Sequence, residues 1–179
     1  SIPKFETKKE LTEHLLREKE VLFQEKRSQI KQADVVELTP TLEVTQKAEE
    51  GPLKVTVVIN TANVLDSHGD VHMNGIWNKT VKENKNPYLL QEHQMKFDKI
   101  ISDNVTASVR TMNWKELGID KQGSTDALVF EAELDAERNP FMVKQYRKGW
   151  VKNHSVGMQY VKIKLAINDP EAKEEFEEW

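Results

Sequence analysis

Residues 53–59 read Leu-Lys-Val-Thr-Val-Val-Ile, and residues 126–134 read Asp-Ala-Leu-Val-Phe-Glu-Ala-Glu-Leu. In both stretches an apolar residue occupies every second position, which is the spacing at which the side chains of a strand reach one face of a sheet. A third alternation runs over residues 155–167. Its apolar members are Val161, Ile163, Leu165 and Ile167. We therefore expect a sheet whose strands are half-buried.

Shorter elements surround these strands. We expect a short strand at residues 88–90, a strand pair or one bent strand at residues 99–112, and short helices near residues 76–84 and 140–152. The second helix is the better marked of the two, because Asn139 suits its cap and Pro140 suits its first turn. The predicted fold class is α+β, with a mainly antiparallel β core or a small barrel flanked by helices.

Residues 7–33 are predicted to form one N-terminal helix. Thr7 and Glu10 make a capping box, in which the hydroxyl accepts from an early helical amide and the carboxylate reaches back to the cap. Apolar residues then recur at roughly helical spacing, at Leu11, Leu15, Leu22 and Ile30. This helix either packs one stripe on the main domain or protrudes to bind a partner or a second copy of the chain.

The stretch that follows the helix is read as a linker, because Pro40, Gly51 and Pro52 lie in it and no period is sustained. The expected organisation is a helical segment at residues 1–35, a linker at 36–52 and a main domain at 53–179. Residues 169–179 carry six acids and one base. A chain that stops on such a run is expected to be truncated within this domain.

Composition excludes several classes of protein. The chain has 179 residues with 26 basic and 30 acidic side chains, a formal charge of −4, which argues against the basic face that nucleic-acid binding needs. The absence of cysteine excludes disulfides, a thiolate nucleophile and zinc sites with Cys ligands. No apolar run approaches the roughly 18 residues of a membrane span. We expect a soluble intracellular protein that binds neither nucleic acid nor membrane.

One segment alternates acids with histidines, at Asp66, His68, Asp70 and His72. An extended strand would turn all four side chains toward one divalent ion. Gly69 in their midst instead indicates a turn, which would scatter them. Both interpretations stay open at this point.

Two further segments hold His93, which follows a short apolar stretch, and Ser155, which stands two residues before Gly157. A serine hydroxyl is a weak nucleophile near neutral pH, so catalysis needs an imidazole within hydrogen-bond reach and a third group that orients the imidazole. Gly157 leaves room for a substrate to approach closely. The same residues also fit ordinary roles as a half-buried histidine and a polar strand entry, and spacing alone does not separate the two.

Taken in order, four short blocks resemble the prohead proteases that mature the capsids of tailed phages, a family related in fold to the herpesvirus assemblin protease. The blocks are residues 66–70 followed by Gly75, residues 90–93, the strand at 128–134 with a helix containing Phe141, Tyr146 and Gly149 after it, and residues 154–158. The resemblance covers about residue 53 to about residue 168. It implies a herpesvirus-protease-like fold, to which the N-terminal helix is added.

By this resemblance the chain is a serine endopeptidase with Ser155 as nucleophile and His93 as general base. Its substrate is the phage scaffold or major capsid protein, cleaved inside the assembling prohead in the host cytoplasm, and it uses no cofactor and no metal. The third triad member is unknown and is expected beyond residue 179, so this chain is expected to have low activity or none. Within the chain, the alternatives are Glu171 and Glu174 in the charged tail and His68, Asp70 and His72 upstream. Residues 7–33 are a candidate for self-association or for docking on the scaffold.

Two other interpretations remain. In the first, a chain of the same fold has no activity and serves as a capsid-assembly or scaffold adaptor, with the 7–33 helix as its binding element. In the second, the 66–72 segment binds a metal ion and the chain is a metal-dependent hydrolase.

Overall fold

The computed structural model describes residues 3–32, 40–46, 51–66 and 68–179. The helices of these residues are α1 (Lys8–Arg17), α2 (Lys19–Ser28), α3 (Asn78–Glu83), α4 (Pro140–Arg147) and α5 (Glu174–Glu178), with single 3-10 turns at Phe97–Lys99 and Pro170–Ala172. The strands are β1 (Ile30–Gln32), β2 (Thr41–Gln46), β3 (Leu53–Thr61), β4 (Leu89–Leu90), β5 (Ile100–Ser102), β6 (Val105–Asn113), β7 (Ser124–Leu134) and β8 (Gly157–Gln159).

Four antiparallel strands form the central sheet in the order β2-β3-β7-β6. The two stretches with the clearest alternation are its inner strands, and their register places Val57 opposite Phe130. On the other side of β7, Val105 of β6 lies opposite Ala132. The predicted α+β class is confirmed, with an antiparallel sheet and a few helices.

Apolar side chains cover both faces of β3 in its second half. Val57 belongs to one buried apolar cluster and its neighbour Val58 to another, so the two clusters lie on opposite faces of the sheet. The second cluster contains Trp114 and Leu117, which follow β6. Lys54 is exposed, so the predicted half-buried strand is present at the start of β3 and is wrong from Val58 onward. The alternation does not reveal the apolar residues that the chain folds over the second face there.

The first cluster reaches the elements that carry the candidate site. It contains Leu89 of β4, together with Val143 and Tyr146 of α4. These side chains hold β4 and α4 against the sheet by burying apolar surface.

The long strand predicted at residues 155–167 is mostly wrong. Only β8 is a strand, and residues 160–169 have no regular secondary structure. β8 pairs with the three-residue strand β1 in a two-stranded sheet. Alternation marks side chains that could share a face, but a strand also needs a neighbour of matching length to satisfy its backbone. Val161, which the alternation assigns to the buried face, is 89% exposed.

The single helix predicted at residues 7–33 is also corrected. The capping box of Thr7 and Glu10 is present, but the helix ends at Arg17, and α2 follows after Glu18. The break falls in a run of four charged residues, 17–20, where no apolar side chain ties the helix to a core. The residues that were predicted to form the last turn of the helix form strand β1 instead, and residue 33 lies outside the described residues.

The predicted linker contains a strand of the central sheet. β2 pairs with β3 over the register Thr41 to Gln46, and Leu42 packs against the second apolar cluster. Leu42 and Val44 alternate with polar residues, as in a strand, but the Pro and Gly residues around them indicate a linker. Residues 33–39 and 47–50 of the expected linker lie outside the described residues.

Two predicted helices are confirmed in position, and one is shorter than expected. α3 lies within the predicted 76–84 segment. α4 begins at Pro140, and the side chain of Asn139 caps it by accepting from the Met142 amide at 3.0 Å. It ends at Arg147 rather than near Lys152, because Gly149 takes the left-handed conformation that terminates helices.

The short strand expected at 88–90 is present as β4. The segment expected to hold a strand pair or one bent strand, residues 99–112, holds two strands that have different partners. β5 pairs with β4, whereas β6 pairs with β7. The segment therefore links a small two-stranded sheet to the central one.

The chain divides into two compact units. One contains residues 1–31 and 158–179, and the other contains residues 32–157 with the central sheet. In the first unit Lys19 forms a 2.6 Å ion pair with Glu175. The domain boundaries expected at residues 35 and 52 remain predictions. Among the described helices, none has the length and apolar character needed to cross a bilayer.

Candidate active site

His93 lies in the loop that joins β4 to β5. These strands pair antiparallel, and the amide of Gln91 donates to the carbonyl of Lys99 at 2.8 Å, which closes the loop at its base. The base of the loop is therefore held by backbone hydrogen bonds.

A tight turn orients His93 within this loop. The amide of Gln94 donates to the carbonyl of Gln91 at 3.1 Å, and the two central residues, Glu92 and His93, have φ of 53° and 54°. A side chain in the left-handed region costs roughly 1–2 kcal/mol, and here two adjacent residues without a glycine adopt it. Such strain persists only when the surrounding structure enforces it, and it is concentrated at functional sites.

Ser155 lies in a segment without regular secondary structure, residues 151–156, between α4 and β8. The segment is tied at its start by the Thr41 hydroxyl, which donates to the carbonyl of Val151 at 3.3 Å. Next to Ser155, His154 is buried, and its Nε2 lies 3.1 Å from the hydroxyl of Tyr146 in α4. Burial raises the pKa of Tyr146, so its hydroxyl stays protonated at neutral pH.

The structure brings His93 and Ser155 together, although 62 positions separate them. The Nε2 atom of His93 and the Oγ atom of Ser155 are in hydrogen-bond contact, and both side chains are half-buried. On the other side of the ring, Nδ1 faces Gly157, where a Cβ atom would lie 3.4 Å away. The arrangement is a serine hydroxyl beside an imidazole whose second nitrogen lies on the side of Gly157.

Burial lowers the pKa of His93 below that of a free imidazole. The neutral ring is therefore the dominant form at neutral pH, and a neutral ring is able to accept the Ser155 proton. The shift thus favours the form of His93 that a general base requires.

Among the described residues, the His93 ring has one hydrogen-bond partner, which is Ser155. The prediction that the third triad member lies beyond residue 179 stays a prediction.

The 66–72 segment forms a turn in place of the extended strand that a metal site would need. The carboxylate of Asp66 accepts from the amides of His68 at 2.8 Å and Asp70 at 3.0 Å, and Gly69 takes a left-handed conformation. Within residues 3–32, 40–46, 51–66 and 68–179, no three His, Asp or Glu side chains share a site suited to a metal ion. Ser67 lies outside the described residues. Asp66 thus serves to shape the turn.

The contact between His154 and Tyr146 is a feature that the sequence analysis missed. Both residues lie in blocks that resemble the protease family, but nothing in their spacing of eight positions indicates a contact. The sequence offered one indication of this contact, which is that His154 directly precedes Ser155. If Ser155 faces the site, its neighbour is a candidate to face the interior.

Comparisons with known proteins add no relative, since no family model, no curated protein and no solved structure matches the chain.

Proposed function

We propose that this chain is a serine endopeptidase in which Ser155 is the nucleophile and His93 the general base. The observation that carries the proposal is the contact between His93 Nε2 and Ser155 Oγ across 62 positions of sequence. The sequence blocks select the same two residues on independent grounds. The left-handed turn at residues 92–93 and the lowered pKa of His93 add support, because both favour a presented, neutral imidazole.

In the proposed reaction, Ser155 Oγ attacks the carbonyl carbon of a peptide bond while His93 Nε2 takes the hydroxyl proton. The protonated imidazole then gives this proton to the leaving amine, which breaks the C–N bond and leaves an acyl ester on Ser155. A water molecule, deprotonated by His93, hydrolyses the ester and restores the hydroxyl. A half-buried site suits this chemistry, because partial exclusion of water strengthens the electrostatic interactions in the transition state.

The finer assignment is a prohead protease with a fold like that of herpesvirus assemblin, acting on a scaffold or major capsid protein during capsid maturation. The support is the order of four sequence blocks, together with an antiparallel sheet beside the His–Ser pair. An extended substrate segment would suit such a peptidase. In an extended segment the peptide bond to be cleaved is exposed, so Ser155 and His93 are both able to reach it. The adaptor interpretation shares the fold and differs only in lacking the chemistry.

The proposal is tested with a fluorophosphonate probe on the whole chain. Attack by Ser155 Oγ forms an O–P bond and expels fluoride, while His93 takes the hydroxyl proton, so labelling reports both groups. We expect mass spectrometry to find the label on Ser155, and we expect Ser155→Ala and His93→Ala to abolish it. Ser124→Ala is the matched control, since Ser124 is exposed at the start of β7 and should leave labelling unchanged.

The same experiment is run on a chain that carries downstream sequence, because the third triad member is expected beyond residue 179. Absence of labelling in both chains, with an intact fold, would contradict the proposal and favour the adaptor. Cleavage of purified scaffold or capsid protein by the wild type, and not by Ser155→Ala, would extend the result from the nucleophile to the substrate class.

A further inference from the structure

We propose that the buried pair of Tyr146 and His154 is the positioning device of the nucleophile, which holds Ser155 toward His93. The inference rests on the proposed function, since it treats Ser155 as the nucleophile. Neither Tyr146 nor His154 touches the reacting atoms in this proposal, and both act through the backbone of residue 155.

The segment that carries Ser155 needs such a device. Residues 151–156 belong to no helix or strand, so no ladder of backbone hydrogen bonds sets the direction of their side chains. Residues 154 and 155 share a planar peptide unit, so rotating the backbone at 154 would move both side chains together. Whatever fixes His154 therefore also restricts the direction of Ser155.

His154 is fixed from one side by Tyr146. Their atoms Nε2 and Oη lie 3.1 Å apart, the two rings are within 23° of parallel, and their centroids are 6.0 Å apart. His154 is 8% exposed and Tyr146 is 2% exposed. A buried hydroxyl that loses its partner is strongly disfavoured, so turning His154 out of its place would leave Tyr146 unsatisfied. The hydrogen bond thus resists the rotation that would take Ser155 away from His93.

The helix that presents Tyr146 is tied at its other end to the strand beside His93. The side chain of Asn139, at the start of α4, donates to the carbonyl of Ile100 at 3.4 Å. Ile100 pairs with Leu90 in the β4–β5 sheet, three residues before His93. α4 therefore joins the strands that carry the general base to the residue that anchors the nucleophile, over eight residues or about 12 Å of helix.

A structural role alone makes a different prediction from a positioning role. If the pair only stabilises the fold, any equally destabilising change in α4 should affect the site in the same way. Val143 supplies the comparison, because it is buried in the same helix and makes an apolar contact with the core. Val143→Ala leaves a small cavity and leaves the hydrogen bond of Tyr146 intact.

The test compares the rate of fluorophosphonate labelling per folded molecule in whole-chain variants. We expect Tyr146→Phe to lower it by at least about tenfold, since a displacement of about 1 Å at a reacting centre costs on the order of 10²-fold. Val143→Ala should label at the wild-type rate. His154→Gln should restore most of the rate that His154→Leu loses, because the glutamine amide places a polar atom near the position of Nε2.

A second readout does not depend on catalysis. The His93 ring is followed by NMR through a pH titration, its signals assigned from the spectrum of His93→Gln. In Tyr146→Phe the pKa of His93 should shift upward toward that of a free imidazole, because a displaced Ser155 admits water to the ring. In Val143→Ala the titration should match the wild type.

The outcomes separate the two proposals. If neither the wild-type chain nor a chain that carries downstream sequence labels, the proposed peptidase fails, and the NMR titration still decides whether Tyr146 positions Ser155 beside His93. If Tyr146→Phe unfolds, the double variant Tyr146→Phe/His154→Leu removes both groups of the Tyr146–His154 hydrogen bond and takes its place in both measurements. Labelling of either variant at the wild-type rate, or an unshifted His93 titration, overturns the positioning role.

Discussion

The central sheet and the two segments that carry His93 and Ser155 are held in different ways. β3 pairs on both edges, and its residues Leu53 and Val57 have no exposed surface. His93 sits in a strained left-handed turn, and Ser155 sits in a segment outside any strand or helix. The backbone of the sheet is satisfied by its own ladder, whereas the site depends on a few side-chain contacts.

This difference separates the sources of stability and chemistry. The sheet buries the apolar surface that stabilises the fold, and the irregular segments aim two polar groups at each other. A substitution in the sheet should therefore change the free energy of unfolding and spare the site, and a substitution in the site should do the reverse. The four predictions below test that separation, in order of decreasing effect.

The largest effect is expected for Ser155→Ala. Removing the proposed nucleophile should reduce peptide cleavage to background, a loss on the order of 10⁶ where a complete serine peptidase site is present. The half-buried hydroxyl contributes little to folding, so the free energy of unfolding should stay within about 0.5 kcal/mol of the wild type. Labelling and urea unfolding of the same preparation measure the two quantities. A large loss of stability would show that site and scaffold are not separate.

Leu134→Ala should show the opposite behaviour. Leu134 ends β7 opposite Leu53 and is fully buried, so its truncation leaves a cavity and should lower the free energy of unfolding by about 3 kcal/mol. At a temperature where the variant stays folded, its labelling rate per folded molecule should equal that of the wild type. A rate that falls with stability would mean that the sheet tunes the site.

The pH dependence of the site is the third test. The folded pKa of His93 lies below its unfolded value, so the neutral ring persists to a lower pH than in a free imidazole. Labelling should therefore hold through the range in which free imidazole titrates and fall only at more acidic pH. For stability, the contribution of His93 is present above the unfolded pKa and is lost as pH falls through the folded pKa.

The control for this test is His93→Gln, which cannot titrate. Unfolding curves of the variant should lose less stability than the wild type between neutral and acidic pH. Equal acid sensitivity of the two proteins would contradict the lowered pKa of His93.

The smallest effect is expected at Glu92, whose exposed side chain stands in the left-handed turn. Asparagine tolerates this conformation and a β-branched residue does not, so Glu92→Asn should raise the free energy of unfolding and Glu92→Val should lower it, each by about 1 kcal/mol. Thermal unfolding of the pair measures the difference. The same sign for both variants would show that the turn is not strained at this position.

Local sequence patterns correctly predicted those strands that pair with another regular strand, and those helix ends that are set by residues next to them. The alternations of β3 and β7 are confirmed because the two strands pair with each other, and the start of α4 is confirmed because Asn139 and Pro140 are local signals. Residues 160–167 carry an equally clear alternation and form no strand. Pairing is a property of two segments, and one segment does not reveal it.

The sequence was enough to name the two residues of the candidate site, but it did not predict the local geometry around them. His93 and Ser155 stand in recognisable blocks, but the turn that presents His93 has none of the glycine or asparagine residues that usually mark such a turn. The contact of His154 with Tyr146 depends on where α4 ends and on how the chain returns from it. These are tertiary facts, and a single sequence carries no direct signal for them.

The bare backbone at Gly157 makes the site open to redesign. A Cβ atom there would stand 3.4 Å from His93 Nδ1, so a serine or aspartate introduced at 157 would carry its oxygen into the range of that nitrogen. Such a substitution would add a third polar group to His93 and Ser155, and it would change neither of these two residues. Faster probe labelling in Gly157→Ser than in Gly157→Ala would record the gain.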